Sequence, residues 1–135
     1  MDIEYSFTRP IPPDELHRLF ALTDWTNTRT TADIQTLLAN SVCVGAWQGN
    51  ELVGFARAIT DDLTRAFIED VIVAEDRRGR GIGLALLRAL LGRLSHVQEI
   101  ALGCEKQLIG YYEQVGFVKH DQTHMHIWKG FDWAH

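Results

Sequence analysis

The spacing of apolar positions changes along the chain, and the changes divide it into elements. Residues 3–8 read as a short strand, set apart from the first helix by Pro10, Pro12 and Pro13. Leu16, Leu19, Phe20 and Leu22 fall near helical spacing and predict that helix over 14–22. Trp25 to Thr30 is polar and turn-like, and Thr31 can cap a second helix that turns Ile34, Leu37 and Leu38 inward. Two runs, 42–48 and 52–60, flank Gly49-Asn50 and predict a hairpin. A third run over 67–73 is rich in aliphatic and β-branched residues and leads into a glycine-rich turn. Leu87, Leu90, Leu91 and Leu94 then recur at helical spacing, with Ile82 and Leu86 widening the apolar face, so a helix over 84–94 is expected to pack on a sheet.

Further on, 99–102 reads as a strand and 106–115 as an amphipathic helix ended by Gly116. Residues 117–119 and 125–128 are expected to close the sheet as two more strands. Hairpins followed by β-α-β units imply a mixed α/β sheet with helices on both faces.

Composition narrows the picture. A chain of 135 residues suits one domain over 1–135, and the absence of repeats or linkers agrees. The 46% of hydrophobic residues exclude a disordered chain. A net charge of −5 argues against a general nucleic-acid or anionic-membrane partner. Cys43 and Cys104 are too few for a disulfide framework, so a reducing compartment is expected. The first ten residues carry Asp2 and Glu4 and no apolar core, and the longest apolar stretch stops at Arg88. A cytoplasmic protein is therefore the expectation. The aromatic residues Trp128, Phe131 and Trp133 are expected to pack on the sheet or on a second copy in a homodimer. His120, His124 and His126 lack the acidic or thiol companions of a metal site, so no metal is expected.

The chemistry concentrates in Arg77-Arg78-Gly79-Arg80-Gly81-Ile82-Gly83. A strand ends, glycines allow close approach and positive φ, and a helix begins whose first N–H groups lack internal acceptors. Such a bend suits a phosphate or pyrophosphate. Neither known phosphate-loop pattern fits. Leu84-Ala85 replaces the Lys-Ser/Thr of the nucleotide triphosphate loop, and the glycines stand at 1, 3 and 5 rather than 1, 3 and 6.

Arg78, Gly81 and Gly83, with Ile82 and Leu84 in the apolar places, resemble the acetyl-CoA motif Arg/Gln-x-x-Gly-x-Gly/Ala of the Gcn5-related N-acetyltransferase (GNAT) family. Tyr112-Glu113-Gln114-Val115-Gly116-Phe117 resembles that family's Tyr-x-x-x-Gly-Phe. The resemblance implies the acyl-CoA N-acyltransferase fold, with a mostly antiparallel central sheet of six to seven strands. It also implies acetyl-CoA as cosubstrate. The backbone of Gly79, Arg80, Gly81, Ile82, Gly83 and Leu84 would hold the pyrophosphate, together with Arg78. Val71, Ile72 and Val73 would pair with the pantetheine arm in a splay beside the strand over 99–102. Where the family often carries an Asn for the pantetheine, Glu105-Lys106-Gln107 stands here, with Gln107 as the substitute.

Acetyl transfer to an amine needs a base, an oxyanion donor and an acid for the leaving thiolate. Ile68-Glu69-Asp70-Val71 is similar to the segment of polyamine acetyltransferases in this family whose Glu is the base, which implies that role for Glu69, with Asp70 as second choice. Neighbouring strand residues point to opposite faces, so only one of the two is expected in a given cleft. The other reading pairs one of them with Arg57 or Arg65. The resemblance makes Tyr112 the acid and the Val71 N–H the oxyanion donor. Trp25, Asn27 and Arg29, in the connection between the first helices, and Asp70 are expected to shape the acceptor pocket. The expected activity is direct acetyl transfer in a ternary complex to a small primary amine. The alternatives are a non-catalytic coenzyme A sensor and a protein-lysine or N-terminal acetyltransferase.

Overall fold

The computed structural model describes residues 2–129. Phe131 and Trp133 lie outside the described residues. The chain divides into two units, residues 1–104 and 105–135.

The first unit holds one sheet of five strands in the order β1-β2-β3-β4-β5: β1 Glu4–Ser6, β2 Val42–Gln48, β3 Glu51–Thr60, β4 Arg65–Val73 and β5 Glu99–Ala101. The first four pair antiparallel, and β4 and β5 run parallel. The β2–β3 hairpin turns at Gly49-Asn50, with Gly49 at φ +59°, as the sequence predicts. Helices α1 (Pro13–Phe20) and α2 (Thr31–Asn40) precede the hairpin, and α3 (Ile82–Arg93) forms the β4–β5 crossover. The cap of α2 is Thr30, one residue before the predicted Thr31. Its hydroxyl accepts from the Asp33 N–H while the Asp33 carboxylate accepts from the Thr30 N–H.

Adjacent residues of β3 show where the helices lie. The Phe20 ring of α1 meets Phe55 edge-to-face at 5.9 Å between centroids. Gly54, pointing the opposite way, leaves room for α3: a Cβ there would stand 3.1 Å from Leu86 Cδ1 and 3.2 Å from Ile82 Cγ2. The helices therefore cover both faces, with Leu16, Leu19, Phe20, Phe55, Leu86, Leu87 and Leu90 fully enclosed. No helix among the described residues is long and apolar enough to cross a membrane.

The second unit is short. The predicted helix over 106–115 is instead a 3-10 turn, Lys106–Leu108, followed by a five-residue α4, Ile109–Glu113. Gly110 lowers helix propensity there, and so few residues propagate poorly. Gly116 ends the segment at φ +106°, with the Phe117 N–H donating to Tyr112 O at 3.4 Å.

The expected sixth and seventh strands are not present among the described residues. Residues 117–119 and 125–128 carry no ladder pairing, and Val118, Met125, Ile127 and Trp128 are 82–87% exposed. Alternation favours extended backbone, but a strand exists only where a neighbouring edge meets its N–H and C=O groups, which no local pattern supplies.

The tight fit at Gly54 makes a prediction. Gly54→Val should destabilise the fold by about 2 kcal/mol through overpacking against α3. Urea denaturation read by circular dichroism checks it, and an unchanged midpoint would refute the α3–β3 contact.

Candidate active site

Two features of β4 meet near its C-terminal half. The first is an open edge. Pairing with β5 spans only Arg65–Glu99, Ala66–Ile100 and Phe67–Ala101. Past Phe67, no described strand pairs with that edge of β4, so Val71, Ile72 and Val73 lie beyond the β4–β5 pairing.

The second is the bend after the strand. A 3-10 turn, Glu75–Arg77, leads through Arg78, Gly79 and Arg80 to Gly81, the N-cap of α3. Gly79 and Gly81 stand at φ +78° and +84°, which an L side chain adopts only under strain. The first helical bond runs from the Ala85 N–H to Gly81 O at 3.0 Å. The N–H groups of Ile82, Gly83 and Leu84 precede it, in the first turn, where a helix offers no internal acceptor and the dipole is positive. These features fit a phosphate group.

The three arginines of the bend divide their work. Arg77 is tied into the protein: its guanidinium meets Gln48 Oε1 at 3.1 Å, Glu51 Oε1 at 2.9 Å and Asp76 Oδ2 at 2.7 Å. It anchors the turn to the β2–β3 hairpin. Arg78 donates from Nε to Val73 O at 3.3 Å, closing the turn on the end of β4, and its charge remains exposed beside that of Arg80.

Upstream, β4 carries an irregularity. Arg57 pairs with Glu69 and Phe55 with Ile72, so Asp70 and Val71 together oppose the single residue Ala56. Asp70 takes φ +57° there. This β-bulge breaks the alternation of side chains. Glu69 lies across from Arg57, and Asp70 ion-pairs with that same arginine, so both carboxylates serve the α1 side of the sheet. The alternation expected of neighbouring strand residues does not hold here, because the period of two holds only through regular strand, and the enclosed Asp70 faces no open cleft. Of the two alternatives for an arginine pairing, Asp70 with Arg57 is the observed one. Arg65 pairs with Glu99 at 3.0 Å.

Asp70 is enclosed, with its side chain 0% exposed. Its Oδ2 accepts from Arg29 Nη1 at 2.5 Å and Arg57 Nε at 2.6 Å. Arg57 also donates to Ser41 Oγ at 3.1 Å. Glu69 is half-buried, and its pKa is raised by that burial and by the neighbouring Asp70 charge, against the pull of Arg57 and Arg29.

Among the remaining candidates, Trp25 is exposed, and Asn27 lies in a turn with its N–H on Thr23 O at 3.1 Å. Thr26, wholly buried, fastens this connection by donating to Phe20 O at 2.6 Å. Arg29, expected in the acceptor pocket, has its guanidinium on Asp70 and 4.8 Å from the Phe20 ring centroid. In the second unit, the half-buried Tyr112 ring stands edge-on to Tyr111 at 5.2 Å and to Phe117 at 6.1 Å. Gln107 donates to Glu105 Oε2 at 2.7 Å. The Arg29–Asp70 pair, 41 residues apart, has no local signal in the sequence. The acids within an otherwise apolar strand were the available hint that a cationic partner exists.

Comparison with known proteins places this geometry. A family model described as the acetyltransferase (GNAT) family matches residues 4–117. The N-acetyltransferase ycf52 of Porphyra purpurea, itself uncharacterized, is 31% identical over 124 residues, covering 87% of this chain and 71% of that protein. Among solved structures, a Xanthomonas campestris protein assigned to the GNAT acetyltransferases matches with TM-score 0.84 and 26% identity over 94% of each chain. A GNAT-family acetyltransferase of Streptococcus pneumoniae matches with TM-score 0.77 and 25% identity, over 94% of this chain and 96% of that one.

The site also contains Cys43, opposite Arg57 on β2. Burial pushes its thiol up to about 11, outweighing the pull of Arg57 and joined by the charge of Asp70. Little of it is thiolate at pH 8, so alkylation should modify exposed Cys104 faster than part-buried Cys43 in the native protein. Mass spectrometry of a time course checks this order, and equal rates in the native protein would contradict the protection of Cys43 by partial burial.

Proposed function

The chain belongs to the acetyltransferase (GNAT) family, and we propose that it moves an acetyl group from acetyl-CoA to a small primary amine. That it is an N-acetyltransferase follows from the family and its relatives. The reading of donor, acceptor and residue roles rests chiefly on one observation. The positive-φ Gly79 and Gly81 and the first-turn amides of α3 stand directly beyond the open edge of β4.

The bend would hold the pyrophosphate of acetyl-CoA through the N–H groups of Gly79 to Leu84, with Arg78 and Arg80 adding positive charge. Arg77 serves as the anchor of this turn. The edge from Val71 to Val73 offers backbone groups to the pantetheine arm in the manner of an added strand. An acceptor ammonium must lose a proton before it can attack, and Glu69 takes it directly or through water. Its raised pKa improves it as a base and sets a pH below which activity falls. The Val71 N–H, in the bulge, donates to the oxyanion as it develops. Tyr112 keeps the role of acid for the thiolate that its Tyr-x-x-x-Gly-Phe context implies.

The exposed Trp25 and the neighbouring Asn27 belong to the acceptor side in this reading. An overall charge of −5 favours a cationic amine.

Thiol release with acetyl-CoA and a panel of small amines, peptides and a lysine-containing protein tests the proposal. Turnover with a small amine is expected, lowered by about 100-fold or more in Glu69→Gln. Turnover confined to peptides or protein would overturn the acceptor class. Gly81→Asp should abolish acetyl-CoA binding in titration calorimetry, because it places a carboxylate and a strained backbone against the phosphates. Unchanged affinity would remove the bend from the donor site.

A further inference from the structure

Two non-glycine residues among those described have positive φ, and they differ in setting. Asp62 lies in an exposed turn, where such backbone is common. Asp70 lies inside a strand, with its side chain wholly enclosed. Left-handed backbone within a strand costs on the order of 1 kcal/mol and persists only where the surroundings enforce it. Here the enforcement is visible. Guanidiniums from two distant parts of the chain converge on one carboxylate oxygen, at 2.5 Å from Arg29 and 2.6 Å from Arg57. Arg57 comes from the adjacent strand β3. Arg29 comes from the connection between α1 and α2, the segment that also exposes Trp25.

We propose that Asp70 is a positioning residue: gripped by Arg29 and Arg57, it locks the β4 bulge and ties the α1–α2 connection to it, which fixes the orientation and charge surroundings of Glu69. The lock has three consequences. It turns Glu69 and Asp70 to the same side of the sheet. It holds the Val71 amide at the irregular position of the ladder. It also couples the acceptor-side connection to the strand that bears the base, so the two move together.

This inference rests on the reading of Glu69 as the base. The charged groups around Glu69 are Arg57 from β3, Arg29 from the α1–α2 connection and Asp70 from β4 itself. Cys43 of β2, opposite Arg57, stays a neutral thiol through neutral pH. Asp70 disfavours the Glu69 carboxylate, and both arginines favour it. Removing Asp70's charge must therefore lower the Glu69 pKa, and removing Arg29's must raise it.

The test compares pH–rate profiles of wild type, Asp70→Asn, Arg29→Met and Asp70→Gly, with Glu69→Gln as reference. Acetyl-CoA affinity is measured by calorimetry and folding by thermal denaturation. The acidic limb of kcat/KM should move to lower pH in Asp70→Asn and to higher pH in Arg29→Met, each by roughly half a unit or more. In Arg29→Met, where Arg57 still holds Asp70 and the bend after β4 is untouched, acetyl-CoA affinity should change less than about threefold. Asp70→Gly keeps the backbone free to adopt positive φ but releases both arginines, and kcat should fall by about tenfold or more. A purely structural role would lower the rates without moving the limbs in opposite directions.

Limbs that stay in place or move together would overturn the proposal, as would an Asp70→Gly variant with wild-type rate and profile. Should the Asp70 variants fail to fold, Arg29→Met decides alone, because Arg57 still holds Asp70: an upward shift supports the lock and an unmoved limb rejects it. If Glu69→Gln is as active as wild type, the assignment of the base has failed. If Glu69→Gln is inactive and the other limbs are unmoved, only the lock has failed.

Discussion

A carboxylate removed from water must be met by cations, and in this fold that requirement is satisfied at Asp70. Its side chain is fully enclosed and receives two guanidiniums on one oxygen. Such an arrangement adds little net stability, since three charged groups lose hydration to make it. Its effect is on geometry. With Arg57 on β3 and Arg29 arriving from the α1–α2 connection, Asp70 can sit in one place only, and the strand around it must bulge to comply. The position of Glu69, the placement of the Val71 amide and the course of the α1–α2 connection all depend on that accommodation.

The bend after β4 obeys a different physical rule. The bend after β4 relies on backbone rather than side-chain charge, through two positive-φ glycines and the amides of the first turn of α3. Arg77 illustrates the division of labour. A cationic residue inside a phosphate-like motif would be read as a ligand, yet it is spent on Gln48, Glu51 and Asp76 and fastens the bend to the hairpin. The α3 helix then seats against the sheet where Gly54 leaves space, so the direction of its N-terminus is set by packing in the core. The −5 charge of the whole chain and the local cationic bend are compatible because the field at a helix terminus falls off within a turn.

Much of this was readable in the order of residues. Period-two and helical spacings located β2 to β5 and α1 to α3 to within a few residues, because those elements bury one face and the burial imposes the pattern. The Gly79/Gly81 turn was legible because positive φ selects glycine. The Glu69-Asp70 pair was legible as an anomaly, two acids in an apolar strand. The C-terminal strands and the full length of the last helix were not. Strand pairing depends on an available edge, and a five-residue helix depends on what it packs against, so neither can be inferred from local alternation.

Sequence alone determined most of the elements, the family resemblance and the phosphate-like bend, since each leaves its mark in residues a few positions apart. Tertiary structure decided which acid is enclosed and ion-paired and which is half-buried. It brought Arg29 and Asp70 together across 41 positions, moved Asp70 onto the same side as Glu69 through a bulge, and left the edge of β4 open beyond Phe67. The reason is that charge pairing and strand register are properties of groups brought close only by the fold, and a linear pattern carries no record of that distance.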